Sequence, residues 1–219
     1  MVITIDGPAG AGKSTVARRL AEEIGFQYLD TGAMYRALTW AALDRHLSLE
    51  DVQAVGEFAE KLQIRFEGPH VFVDDCEVTS EIRNPAITQA VGAVADNPRV
   101  RARLSTLQRE IAQEGHFVCE GRDQGTEVFP DAVCKFFLTA SPRTRARRRQ
   151  REWQARGYDL PLDDLLQQQV ERDRRDESRP VGSLRPADDA IRIETDDLNL
   201  DQVVELLADV ARKAIRAAS

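Results

Sequence analysis

Val2-Ile-Thr-Ile5 is a short, β-branched apolar run that leads straight into glycines, a pattern that predicts a strand buried on both faces. From Lys13 onward Val16, Ala17, Leu20 and Ile24 recur at helical spacing, and Gly25 stands where that helix ends. Phe26-Gln-Tyr-Leu29 predicts a second strand, and strand, helix, strand within about 30 residues is the unit of a parallel sheet. A helix is predicted through Met34 to His46, and another from an N-cap at Ser48 with Val52, Val55, Phe58 and Leu62 as its buried stripe. The period then changes to two. Ile64 and Phe66 alternate with polar residues, Gly68-Pro69 signals a turn, and Val71, Val73 and Val78 continue, which predicts a small antiparallel insertion.

Two helices follow, each announced by an Asn cap with Pro in the first turn (Asn84-Pro85 and Asn97-Pro98), the second carrying Val100, Leu104, Leu107 and Ile111. Phe117-Val-Cys119 and Val133-Cys-Lys-Phe-Phe-Leu138 are apolar enough for central strands. Ser141-Pro142 caps an arginine-bearing helix, Gly157 breaks it, Asp159 to Ser178 resumes as a helix, and Pro180 with Pro186 closes the region. Ala190-Ile-Arg-Ile193 predicts a last strand, and Leu200, Val203, Leu207, Val210 and Ile215 mark a terminal helix. Five parallel strands alternating with helices, plus a three-stranded patch, make an α/β doubly wound design.

A length of 219 residues suits one elaborated domain. No run approaches the roughly 18 apolar residues of a membrane span, so a membrane-embedded protein is not expected. Met1 to Asp6 carry no basic stretch before an apolar core, so no secretory signal is read there and the cytoplasm is the default. Three cysteines without C-x-x-C spacing (Cys76, Cys119 and Cys134) argue against a disulfide framework or a thiolate zinc site, and are expected to be buried small hydrophobes. His46, His70 and His116 show no metal-ligand spacing and are expected to do no chemistry.

A net charge of −7 makes a poor general binder of nucleic acid. Its distribution is more informative. Of 30 basic residues 26 are Arg, and eleven of these lie between Arg143 and Arg179 against eight acids, which leaves +3 there and −10 over the rest. The planar fork of Arg grips phosphate through two hydrogen bonds, so the cluster suggests a small phosphorylated ligand. On charge alone, a solvated helix face with i,i+4 ion pairs is the default reading.

Gly7, Pro8, Ala9, Gly10, Ala11, Gly12, Lys13 and Ser14 match G-x-x-x-x-G-K-[ST] between a predicted strand and a predicted helix. The glycines let successive N–H groups point at phosphate oxygens, at the positive end of the following helix. Lys13 is expected to reach the β and γ phosphates, and Ser14 to hold Mg²⁺. With Thr15, these residues form the expected ATP-binding segment. A GTPase would need an N/T-K-x-D segment, and none of Lys13, Lys61, Lys135 and Lys213 sits in one. A motor or transporter ATPase would need a coupling domain for which the chain leaves little room. A small phosphotransferase remains.

Further blocks join the first: Asp6 to Thr15, Leu29-Asp-Thr-Gly-Ala-Met-Tyr-Arg36, Ser80-Glu-Ile-Arg83, Pro98-Arg-Val-Arg101, Glu120-Gly-Arg-Asp-Gln-Gly-Thr126, Val128-Phe-Pro-Asp131 and Glu171-Arg-Asp-x-x-Asp-x-x-Arg179. In this order and spacing the chain resembles the bacterial cytidylate kinases nearly end to end. The resemblance implies transfer of the γ-phosphoryl group of ATP to CMP or dCMP, with Mg²⁺, giving CDP or dCDP. It also implies a P-loop nucleoside-monophosphate-kinase fold: a five-stranded parallel sheet flanked by helices, with a small antiparallel insertion and a short lid. A single domain over 1–219 is expected, its core at 1–62, 84–147 and 180–219, a monophosphate-side insertion at about 63–83, and a lid with its following helix at about 148–179.

By the same resemblance Arg36, Arg122 and Arg179 meet the acceptor phosphate, Arg101 and Asp123 recognise cytosine, Arg172 and Asp176 stand around the sugar and phosphate, and Thr31 and Tyr35 complete the CMP site. Some members carry a Ser that helps read the base where this chain has Gly92, which implies one hydrogen bond lost or made through water. Cytosine offers two acceptors and a donor amine, so an Arg and a carboxylate can read its edge. Arg101 and Asp176 on their own would read as helix-surface charges, whereas Asp123 ends a predicted buried strand, where parallel sheets bind ligands. Arg172, Asp176 and Arg179, at i, i+4 and i+7, are expected on one helix face, with the carboxylate available to a ribose hydroxyl. Lys13 and the lid arginines Arg148 and Arg149 are the expected catalytic groups. The attacking phosphate oxygen is already ionised, so no general base is needed. The expected partners are ATP and CMP or dCMP, with no nucleic acid and no membrane, and a monomer is expected. A related kinase acting on UMP, AMP or shikimate, or a protein that binds ATP without transferring phosphate, are the alternatives.

Overall fold

Strand β1 (Val2–Asp6) lies at the centre of a five-stranded sheet in the computed structural model, which describes residues 1–155 and 157–218. The chain forms two compact units, Met1–Leu29 with Ala112–Ser219, and Asp30–Ile111. In the first, α1 (Lys13–Ile24) follows β1 and closes on Gly25, β2 (Gln27–Asp30) comes next, and the chain returns as β6 (Phe117–Glu120), β7 (Cys134–Thr139) and β8 (Ile191–Glu194). The sheet order is β2-β6-β1-β7-β8. β1 pairs in parallel with β6, Ile5 opposite Glu120, and with β7, Asp6 opposite Phe137. Ile3 and Ile5 are fully buried, as a central strand covered on both faces requires. They pack with Phe136 and Leu138, with Val16, Ala17 and Leu20 of α1, and with Val203, Leu207 and Ala211 of α8 (Leu200–Ala218). The strand–helix–strand unit therefore skips one position, which β6 fills much later in the chain.

The first unit also holds α6 (Pro142–Gln154) and α7 (Leu162–Ser178). Ser141 caps α6 as expected, its hydroxyl accepting the Thr144 N–H. The two helices share a small core of their own, Ala146, Trp153 and Leu165. α7 starts at Leu162 rather than Asp159, because the proline at 161 drives Leu160 out of the helical region. Arg156, one of the eleven clustered arginines, lies outside the described residues.

The second unit contains α2 (Thr31–Asp44), α3 (Val52–Lys61), the antiparallel strands β3 (Ile64–Glu67), β4 (His70–Val73) and β5 (Cys76–Glu77), then α4 (Pro85–Ala95) and α5 (Pro98–Ala112). Its core joins Met34, Leu38, Ile64, Val71, Val73, Val78, Ile82, Val100 and Leu104. The segment at about 63–83 thus packs with α2 and its neighbours in this unit. Two expectations change. The cap of α3 is Asp51, whose carboxylate accepts the Ala54 N–H at 2.9 Å, not Ser48, and Val52 in the first turn is 55% exposed instead of part of the stripe. Cys119 and Cys134 are buried as expected, but Cys76 is exposed, on a two-residue strand at the edge of its sheet. No helix among the described residues is long and apolar enough to cross a membrane.

Candidate active site

Between β1 and α1 the backbone turns through two glycines that no other residue replaces cheaply. Gly7 has φ 146°, and a Cβ there would overlap the Leu138 carbonyl; Gly10 has φ 77°, and its Cβ would lie 3.0 Å from Cβ of Arg145. Three carbonyls of this loop are tied by side-chain donors. Nζ of Lys13 donates to Pro8 at 2.9 Å, Arg145 and Gln169 both donate to Ala9, at 3.1 and 2.7 Å, and Arg148 donates to Ala11 at 3.3 Å. Carbonyls held in this way favour N–H groups turned toward an anion at the positive end of α1. Lys13 is buried; burial and the Arg122 charge push its ammonium down to about 7.

Glu120 ends β6 beside β1 and is buried, accepting the Ser14 hydroxyl at 2.5 Å and the Tyr28 hydroxyl at 3.1 Å. It had no expected role; its sequence signal is a carboxylate closing a central strand. Asp6, at the end of β1, accepts the N–H groups of Gln124 and Gly125 at 2.9 and 2.7 Å. Burial pushes the Asp6 carboxyl up to about 7, against these two amides, which favour its ionised form. They pin the π-helical turn Gln124–Val128 directly after Asp123, which is itself buried at the strand end.

Asp176 on α7 joins two arginines. Nε of Arg122 donates to Oδ2 at 3.1 Å and Nη2 of Arg179 to Oδ1 at 2.8 Å, while Arg172 adds its charge nearby. Arg179 lies at the end of α7 rather than within it, and still pairs with Asp176 at i,i+3 while Arg172 acts on the same carboxylate. It is the C-cap, at φ −62° and ψ 132°, because the following Pro180 forces extended backbone. It also donates to the Gly182 carbonyl at 3.4 Å. Burial disfavours the Asp176 carboxylate, but Arg122, Arg172 and Arg179 together hold its pKa below 3.8. A folded value below the unfolded one gives stability that is present above the unfolded pKa and lost as pH falls through the folded pKa. Asp176→Asn is therefore expected to lose melting temperature less steeply than the parent between about pH 5 and pH 2. Identical acid limbs in thermal melts would refute this.

Arg148 and Arg149 diverge. Arg148 meets Thr195, at 2.9 Å on the hydroxyl and 2.6 Å on the carbonyl, as well as the phosphate loop. The Arg149 guanidinium lies 5.8 Å from the Trp153 ring centre. The second unit carries the other expected residues. Arg36 is held by Asp30 at 2.9 Å, whose other oxygen caps α2 through the Ala33 N–H at 2.8 Å; Asp30 too was missed from sequence. Arg101 is no surface charge: it is 4% exposed, lies 5.6 Å from the Tyr35 ring centre and donates to the Ala95 carbonyl. Thr31 is buried at the start of α2, and Gly92 lies in α4.

A glycine-rich loop with a buried lysine, joining the central strand of a parallel sheet to the next helix, defines a P-loop protein, and the arginine–carboxylate cluster in the same unit suits a kinase. The cytidylate kinase family model matches residues 3–213. The cytidylate kinase of Rhodopirellula baltica is 48% identical, over 100% of this chain and 96% of its own. That of Exiguobacterium sibiricum is 47% identical, over 98% of each. The chain belongs to the cytidylate kinase family, and is an enzyme of the nucleoside monophosphate kinase class. Among solved structures, an uncharacterized protein from Eubacterium ventriosum shares the fold, with a TM-score of 0.52 at 15% identity over 96% of this chain and 97% of its own.

Proposed function

We propose that this protein transfers the γ-phosphoryl group of ATP to CMP or dCMP, giving ADP and CDP or dCDP. The observation that carries the reading is one unit that holds both a phosphate loop with a buried lysine and the Arg122–Asp176–Arg179 cluster, in a member of this family. Residues 7 to 15 cradle the triphosphate, and Lys13 supplies positive charge to the phosphoryl group in flight. Arg122 and Arg179, oriented by Asp176, grip the acceptor phosphate, and Asp123 reads the base. By resemblance Arg172 is assigned to the sugar and phosphate, Arg36 to the acceptor phosphate, Arg101 with Asp123 to the base, and Thr31 and Tyr35 to the rest of the CMP site. Arg148 and Arg149 belong to the lid side, at about 148–179, and Arg148 has the stronger claim through its contact with the loop. Working as a cytoplasmic monomer is part of the same reading.

Mg²⁺ fits the donor set, since Ser14 and Glu120 offer two hard oxygens at the mouth of the loop and would hold it there. When bound, it would neutralise phosphate charge during transfer. Transfer itself needs positioning and charge, because the attacking phosphate oxygen is ionised at neutral pH and Lys13 and the arginines stabilise the equatorial oxygens.

The test is a coupled assay of ADP release with CMP, dCMP, UMP, AMP and shikimate as acceptors. Release that depends on CMP or dCMP, at least about tenfold faster than with the others, is the expected result. Preference for another acceptor would reassign the substrate, and ATP binding without any acceptor-dependent release would end the kinase reading.

A further inference from the structure

The Ala9 carbonyl is the most heavily held group of the phosphate loop. Nη1 of Arg145 reaches it from α6 at 3.1 Å and Nε2 of Gln169 from α7 at 2.7 Å. A carbonyl oxygen has two lone pairs, so both are in use. Arg145 is 4% exposed, and its fork is fixed on two further sides, by the Ala140 carbonyl at 2.8 Å and by Oδ2 of Asp173 at 2.7 Å. The other oxygen of Asp173 accepts from Gln169 at 3.4 Å, which closes the set.

A buried ion pair is a weak source of stability, since well-packed apolar residues often serve a core as well or better. What such a set supplies is one fixed geometry, delivered to one backbone atom. The next residue, Gly10, lies against Arg145 with left-handed backbone and little room for a side chain, so the loop rests directly on these groups. We infer that Arg145, Gln169 and Asp173 are positioning residues for ATP, a clamp from α6 and α7 that holds the Ala9 carbonyl and so orients the loop amides. The clamp touches the loop and not the nucleotide. It rests on the reading that the loop binds ATP. Because α6 and α7 also span the expected lid, the clamp is where a shift of those helices reaches the phosphate site.

Arg145 and Asp173 line a cavity of about 270 Å³ that also meets Pro8 and Glu177, so conservative changes at Asp173 face space and leave the close-packed core alone. Gln169→Met and Asp173→Asn in the full chain test the clamp, with initial rates measured against ATP at saturating CMP and against CMP at saturating ATP. The KM for ATP is expected to rise roughly five- to tenfold, as for loss of one oriented hydrogen bond, with the KM for CMP within about twofold of the parent. Melting curves recorded alongside are expected to show both variants folded. Unchanged KM for ATP in folded variants of an active parent, or an equal rise in both KM values, would overturn the clamp alone. Loss of folded protein in both variants would assign the cluster to stability and overturn it as well. A parent chain that binds no ATP in calorimetry would overturn the functional reading and the clamp with it.

Discussion

Lys13→Ala is expected to slow CMP-dependent ADP formation at least about a hundredfold in a protein that remains folded, a loss of roughly 3 to 4 kcal/mol of transition-state stabilisation. The ammonium lies buried at the start of α1 and donates to the Pro8 carbonyl of the loop itself, so truncation removes charge without opening the strand–helix core. Burial, with Arg122 close by, lowers its pKa from 10.5 to about 7. The folded value lies below the unfolded one, so below about pH 7 the charged lysine opposes folding, and its removal leaves the protein no less stable there. A bound triphosphate would add to the counter-charge of Glu120 and Asp6, which alone does not offset burial, so the lysine acts on ligand and not on fold. Circular dichroism and ADP release on the same preparation check both halves. Near-normal turnover in the folded variant would refute the role.

Asp176→Ala is expected to be the most damaging change outside the phosphate loop. The carboxylate is buried and carries Arg122 on one oxygen and Arg179 on the other, so its removal leaves a buried cation, Arg179, and a half-buried one, Arg122, without their shared counter-charge beside Arg172. Breaking a buried pair by removing one partner costs roughly 3 to 5 kcal/mol. For a chain of this size that is a fall in melting temperature on the order of 10 °C. Acceptor use is expected to fall with it, since the arginines lose the group that orients them. If a ribose hydroxyl also donates to this carboxylate, CMP suffers more than dCMP, by about 1 to 2 kcal/mol. Equal losses for the two nucleotides would restrict Asp176 to orienting its arginines, and unchanged stability and kinetics would refute both roles.

Several of these features are local and were readable along the chain. Proline after a capping Asn at Asn84 and Asn97, the period-two run from Ile64 to Val78, and the helical spacing of Val16, Leu20 and Ile24 each depend on neighbours within one element. So does the glycine–lysine loop, whose spacing encodes a backbone path. Errors fell where two local signals competed. Asp51 lies nearer the first turn of α3 than Ser48 and took the cap. Proline before α7 and proline after Arg179 each overrode a helical pattern that looked continuous from side-chain type alone.

The partners of charged groups were a different matter, because they join residues far apart in sequence. Nothing in the chain order predicts that Ser14 meets Glu120, that Asp6 holds the turn after Asp123, or that Arg145, Gln169 and Asp173 converge on Ala9. Eleven clustered arginines looked alike in sequence, and only their packing separates them: Arg145 buried behind the loop, Arg148 on Thr195, Arg149 beside Trp153, Arg179 on Asp176. By itself the sequence determined the element types, the phosphate loop and the resemblance to a family, since backbone preference and hydrophobic period act over a few residues. The sheet order, the two units and the pairing of each buried charge were decided by tertiary structure, because desolvating a charge is costly and its partner is whichever opposite group the packing of distant segments brings within hydrogen-bond distance.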